Sequence, residues 1–173
     1  TLDFDCVGLS FVQNGKIVKK LKKHYPKKLF ISKIENLMGY KNRLEIISNS
    51  DAIMIDRGDL AAEVGLSKLS EFTDNIISDS VKSGKPVIIA TENLNSLIYG
   101  FSPSKSDVVN LDYYISKKVD YIMLSDETAT SLNWKNTLNW LNSYLNKNFL
   151  KKTKLKKLNI EEISKNLMYQ NII

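Results

Sequence analysis

Near the end of one Ile-rich run stand a cation and a carboxylate two residues apart, Lys33 and Glu35. Period-two geometry places both on one face of an extended strand, with Ile34 on the other. The next apolar run, Asp51-Ala52-Ile53-Met54-Ile55-Asp56, closes in the charged turn Arg57-Gly58-Asp59. Two more runs end in hydroxyls and carboxylates, Thr91-Glu92 and Ser125-Asp126-Glu127, and the first polar residue after the opening run is Ser10. Glu35 and Asp59 are hard oxygen ligands from adjacent strand ends, a donor set suited to Mg²⁺, which keeps several waters and completes its shell from a substrate. The turn at Gly58 opens a short helix whose first backbone N–H groups form a ready anion site. Metal, lysine and helix N-terminus together describe a pocket for a small polyanion such as a phosphorylated carboxylic acid.

These residues need a frame that gathers strand ends. Candidate strands are Cys6 to Phe11, Leu29 to Ile34, Asp51 to Asp56, Pro86 to Thr91 and Tyr121 to Ser125. Each is short and Ile/Val-rich without strict alternation, as in parallel strands covered on both faces. Helices are expected near Gly15–His24, Gly39–Ser48, Leu66–Ser83, Pro103–Lys118 and Trp134–Phe149. Ser102 is the expected N-cap of the fourth, with Pro103 at its first position; Gly84 stops the third. Strand–helix alternation means right-handed crossovers and a parallel sheet, hence an α/β fold. In such folds ligands bind at the carboxyl edge, where every polar strand end falls. Five units are too few for a complete eight-fold barrel of about 250 residues. A five-stranded open sheet also fits the length, but no Gly-rich phosphate fingerprint follows the first strand.

The 173 residues carry 25 Lys+Arg and 19 Asp+Glu, a net charge of +6. Seven lysines between Lys16 and Lys28, and six between Lys147 and Lys157, exceed that surplus, so the remainder is net acidic. Such runs bind nucleic acid when paired with aromatics or a recognition helix; here neither accompanies them, and a solvated helix face is favoured. Cys6 is the sole cysteine, which excludes an internal disulfide and a cysteine-based zinc site and suits a reducing, cytoplasmic setting. No apolar run approaches 18 residues, so no transmembrane helix is expected. The chain starts at Thr1 rather than Met and is expected to be a piece of a longer protein. Residues 1–150 form the α/β unit; 151–173 read as a lysine-rich linker and a further helix from Ile160. The adhesion-type tripeptide Arg57-Gly58-Asp59 has no such meaning in a strand-to-helix turn of a cysteine-poor chain.

Ile31-Ser32-Lys33-Ile34-Glu35-Asn36, Ile53-Met54-Ile55-Asp56-Arg57-Gly58-Asp59-Leu60, Gly84-Lys85-Pro86-Val87-Ile88-Ile89-Ala90-Thr91 and Ile122-Met123-Leu124-Ser125-Asp126-Glu127-Thr128-Ala129 resemble pyruvate kinase, in that family's order and roughly its spacing. The resemblance covers Asp5 to about Phe149. It implies the second half of a (β/α)₈ TIM-type barrel, with the tail as the start of a C-terminal domain. It further implies phosphate transfer from phosphoenolpyruvate to ADP, giving pyruvate and ATP. On that basis Lys33 neutralises the phosphoryl group in flight, and Glu35 and Asp59 hold Mg²⁺. The backbone around Arg57 and Gly58 binds the substrate carboxylate, and Thr91 lies beside the reacting methylene carbon. A K⁺ requirement and a homotetrameric parent are likewise implied, the family's K⁺ ligands, nucleotide-contacting arginines and lid lying upstream of Thr1.

Several positions depart from the family's usual residues: Asp56 for Ala, Ala61 for Gly, Glu92-Asn93 for Gln-Met, Gln13 for Arg, Lys105 for Arg and Asp126 for Gly. Asp56, Glu92 and Asp126 each add negative charge. Even at an effective dielectric near 20, one such charge about 5 Å from an anionic substrate costs roughly 3 kcal/mol before screening. Two other functions therefore stay open: a non-catalytic pyruvate-kinase-like binding module, and a Mg²⁺-dependent oxoacid lyase on a related barrel. A half barrel leaves open sheet edges, so this piece alone is expected to be unstable or to pair with its missing half.

Overall fold

The computed structural model describes residues 4–150. Five parallel strands form one sheet in the order β1 (Cys6–Leu9), β2 (Leu29–Lys33), β3 (Ala52–Asp56), β4 (Val87–Ala90), β5 (Tyr121–Ile122). Strand order follows chain order without reversal. A doubly wound sheet reverses at a switch point; repeated right-handed crossovers to the next strand instead keep the helices on one side, the winding of a (β/α) barrel. The open-sheet alternative is thereby set aside, and the fold is part of a TIM-type barrel. Among the described strands, the outer edges of β1 and β5 are unpaired.

The core lies between sheet and helices. Phe30, Ile34, Ile53, Ile55, Val87 and Ile89 pack with Val18 of α1 (Gly15–His24), Ile46 and Ile47 of α3 (Arg43–Asn49), and Ile76 and Ile77 of α5 (Leu66–Lys82). The opposite face is half-buried and carries Ile31, Lys33, Met54 and Ile88; the register pairs Lys33 with Met54 and Met54 with Ile88, so these share one side. Asp56, two residues beyond Met54, falls on that side too. Lys33 and Asp56, at the carboxyl ends of their strands, thus face the inner side.

Local chemistry explains the helix ends. Asn14 caps α1 by accepting from the Ile17 amide, while Lys22, Lys23 and His24 complement the carbonyl end. The α1 backbone closely approaches α3: a Cβ on Gly15 would lie 2.5 Å from the Glu45 carbonyl oxygen. Gly15→Ala is therefore expected to destabilise the fold by about 1–3 kcal/mol, the range for overpacking, read from the shift of a denaturation midpoint. Gly84, at φ +66°, ends α5 as expected.

Several expected boundaries move. The 39–48 stretch is two helices, α2 (Leu37–Lys41) and α3, broken at Asn42, whose amide side chain donates to the Gln13 carbonyl. The N-cap of α7 (Lys105–Ser116) is Ser104, not Ser102. The Ser104 hydroxyl accepts from the Asp107 amide, and Asp107 accepts from the Ser104 amide in a complete capping box. Strand β5 has two residues rather than five. Helix α9 (Trp134–Leu145) passes into a π-helical turn at Asn146–Leu150. Short helices α4 (Arg57–Val64), α6 (Ser96–Tyr99) and α8 (Asp126–Thr130) complete the layer. The linker and further helix expected over 151–173 lie outside the described residues. No described helix is long and apolar enough to cross a membrane.

Candidate functional site

Strand β2 delivers Lys33 and Glu35 to the carboxyl rim. Ile34 between them is fully buried against the helices, which turns both charged side chains to the inner side. The Lys33 ammonium lies 2.9 Å from Glu35 Oε2 and 3.3 Å from Asp56 Oδ2. Glu35 is 1% exposed, so this is no surface ion pair. Burial acts to lower the Lys33 pKa, but hydrogen bonds and charge from Glu35, and then from Asp56, outweigh it and push it upward. The lysine stays an ammonium.

Carboxylate oxygens of Glu35, Asp56 and Asp59 lie within 4.8 Å of one another. Glu35 and Asp59 are thus brought together, and Asp56 joins them. Sequence reasoning treated Asp56 only as surplus charge; the available signal was its even spacing from Met54, which shares a face with Lys33. Three carboxylates and one ammonium sum to −2, a net charge that attracts a divalent cation. All three donors are hard oxygens, and Glu35 Oε2 is buried and ion-paired with the lysine. This donor set fits Mg²⁺.

The second oxygen of Glu35 accepts from the Phe11 amide at 2.5 Å. Phe11 adopts φ +51°, so the loop after β1 is tied to the same carboxylate. On the other side, Thr91 is held at φ +61°, a rare conformation for a β-branched residue, and Glu92 and Leu94 follow at +50° and +59°. Such backbone strain gathers at functional sites. The Thr91 hydroxyl donates to the Ala90 carbonyl and accepts from the Gly58 amide at 3.1 Å. That amide, expected to be free for an anion, already has a partner; the helix N-terminus is joined to the strained turn instead.

The Arg57 side chain points away from the carboxylates. It is buried and donates to the carbonyls of Ala90 and Thr91, to the Tyr114 hydroxyl and to Asn93 Oδ1, with the guanidinium 5.2 Å from the Tyr114 ring centroid. It therefore ties β3 to β4 and α7, and its backbone alone faces the rim turn. Asn93 was not singled out from sequence. Its amide also donates to the Ile89 and Met123 carbonyls, joining the ends of β4 and β5. Asn93→Leu would take the side-chain donor from the Met123 carbonyl and one of several acceptors from the buried guanidinium. An expected loss of about 1–3 kcal/mol is measurable by chemical denaturation.

Comparison with known proteins identifies the family. Residues 1–136 match the family model described as pyruvate kinase, barrel domain. A probable cytosolic pyruvate kinase isozyme of Arabidopsis thaliana is 37% identical over 129 residues, covering 72% of this chain and 26% of that protein. The pyruvate kinase of Dictyostelium discoideum is 35% identical over 130 residues, covering 73% of this chain and 26% of its own length. The crystal structure of a pyruvate kinase from Cryptosporidium parvum superposes with a TM-score of 0.73 at 34% identity, covering 78% of this chain and 30% of that one. This chain spans about a quarter of the length of the curated relatives it matches. On these matches, and with the strand order of a barrel, the chain belongs to the pyruvate kinase family, as part of its barrel domain.

Proposed function

We propose that the protein is a pyruvate-kinase-type phosphotransferase, moving phosphate from phosphoenolpyruvate to ADP, and that this chain carries the Mg²⁺ and phosphoenolpyruvate half of its site. One observation carries the reading: a charged lysine stands at a parallel-sheet rim beside three converging carboxylates. Phosphoryl transfer asks the protein mainly for positioning and charge stabilisation. Glu35 and Asp59 would hold Mg²⁺, which supplies neutralisation of phosphate charge when bound. Lys33 presents its ammonium to the transferring phosphoryl group, where preorganised positive charge lowers the barrier. The backbone turn at Arg57-Gly58 would orient the substrate carboxylate, the Gly58 amide by giving up its bond to the Thr91 hydroxyl, and Thr91 borders the reacting carbon.

A coupled assay of the full-length protein with phosphoenolpyruvate, ADP and Mg²⁺ should show pyruvate release that requires ADP. Calorimetry with Mg²⁺ and oxalate, a mimic of enolpyruvate, separates the alternatives. Binding without turnover selects the non-catalytic relative; pyruvate release from a hydroxy-oxoacid without ADP selects the lyase. K⁺ dependence and tetramer assembly are tested on the same preparation by cation substitution and light scattering. The lone Cys6 and the cytosolic Arabidopsis relative support a cytoplasmic setting. A Ricinus communis relative is a chloroplastic isozyme, so cell fractionation decides.

A further inference from the structure

We propose that Asp56 is a positioning residue that clamps the Lys33 ammonium against Glu35; this deepens the phosphotransferase reading and rests on it. A lysine head on four methylenes is a mobile point charge. One carboxylate sets its distance but leaves it free to swing. In this structure two carboxylates from neighbouring strands bracket it, Glu35 at 2.9 Å and Asp56 at 3.3 Å. The Lys33 side chain is 20% exposed and the Asp56 side chain 10%, so the pairs are shielded enough to resist screening.

Asp56 has an ordinary structural use available and does not take it. It occupies the N-cap of α4, where an aspartate normally accepts from an amide of the first turn, yet no side-chain cap hydrogen bond forms. Its carboxylate turns to Lys33 instead. The position is the last of β3, level with Ala90 of β4, and it shares with Lys33 the inner side of the sheet. The residue that adds unwanted charge against an anionic substrate thereby orients the Lys33 cation that receives it.

The test uses the full-length protein. In metal-free protein, Lys33 acetylation by an amine-reactive ester, quantified by mass spectrometry, should be slow. Asp56→Asn should speed it roughly tenfold, within the coupling range of residues sharing one salt-bridge network, while other lysines are unchanged and Asp56→Glu restores part of the protection. In turnover, Asp56→Asn should lower kcat roughly tenfold with KM for phosphoenolpyruvate unchanged or lowered, since one repelling charge is also gone. In a Lys33→Met background the same change should do almost nothing, because no ammonium remains to place. Asp56→Asn removes one charge from the cluster, so Mn²⁺ affinity should fall, but by less than the 10–100-fold that outer-shell changes alone reach, and kcat is read at saturating metal. Unchanged acetylation, equal kcat losses with and without Lys33, or a large drop in Mn²⁺ affinity would each overturn the clamp. If the full-length protein releases no pyruvate in an ADP-dependent way, the phosphotransferase reading fails; if Lys33→Met retains full turnover, only the lysine's assigned role does. In either case acetylation still decides whether Asp56 holds the lysine. Melting curves confirm that each variant is folded.

Discussion

Replacing Lys33 with Met in the full-length protein is expected to lower kcat by roughly 10²–10³-fold, the loss seen when one preorganised transition-state donor is removed. The side chain is similar in length, so the effect isolates the charge. The same substitution leaves Glu35, 1% exposed, without its cation. Removing one partner of a buried pair costs several kcal/mol, less here because the lysine head is partly wet. A lowered melting temperature in metal-free protein should accompany the lost turnover, and added Mn²⁺ should recover much of it. The cluster's charge falls from −2 to −3, so Mn²⁺ binding should be kept or strengthened while catalysis is lost. Lost turnover with retained metal binding marks Lys33 as acting on the phosphoryl group. Unaltered turnover rules that role out.

Glu35→Gln carries the second large effect. The amide oxygen still reaches the Phe11 N–H, so the loop after β1 keeps its tie. What disappears is an anionic oxygen on a side chain shut off from bulk solvent. Mn²⁺ or Mg²⁺ affinity should fall by at least the 10–100-fold that outer-shell changes alone produce, with turnover recovered only at high metal concentration. Asp59 is exposed, and a water can take its place in a Mg²⁺ shell. Asp59→Asn should therefore cost less than Glu35→Gln, measured by Mn²⁺ titration. The reverse order would mean that the ion sits toward solvent, away from β2.

Much of the frame was legible because parallel strands covered by helices read as apolar runs. Leu29–Lys33 and Ala52–Asp56 stand within one residue of their expected spans, and Gly15–His24 matches its expectation. Boundaries decided by contacts distant in sequence were not legible. Ser102 has Pro103 after it, but Ser104 has Asp107 three residues on and forms the capping box; its amide also donates to the Ser96 hydroxyl, on α6, at 2.7 Å. The break at Asn42 depends on the Gln13 carbonyl, and the Arg57 anchorage on Asn93 and Tyr114, each more than 25 residues away in the chain.

At the rim the division is sharper. Alternation along a strand is a covalent property, so Lys33 and Glu35 sharing one side, with Ile34 on the other, followed from order alone. Asp59 joining them needed only the next strand's turn. Asp56 was different: a carboxylate's effect depends on the cation it meets, and that encounter is set by the lateral register of β2 on β3, through hydrogen bonds between segments some 20 residues apart. Residue order determined which charges reach the rim; tertiary pairing alone decided that Asp56 faces Lys33, because electrostatic energy follows distance in space and not position along the chain.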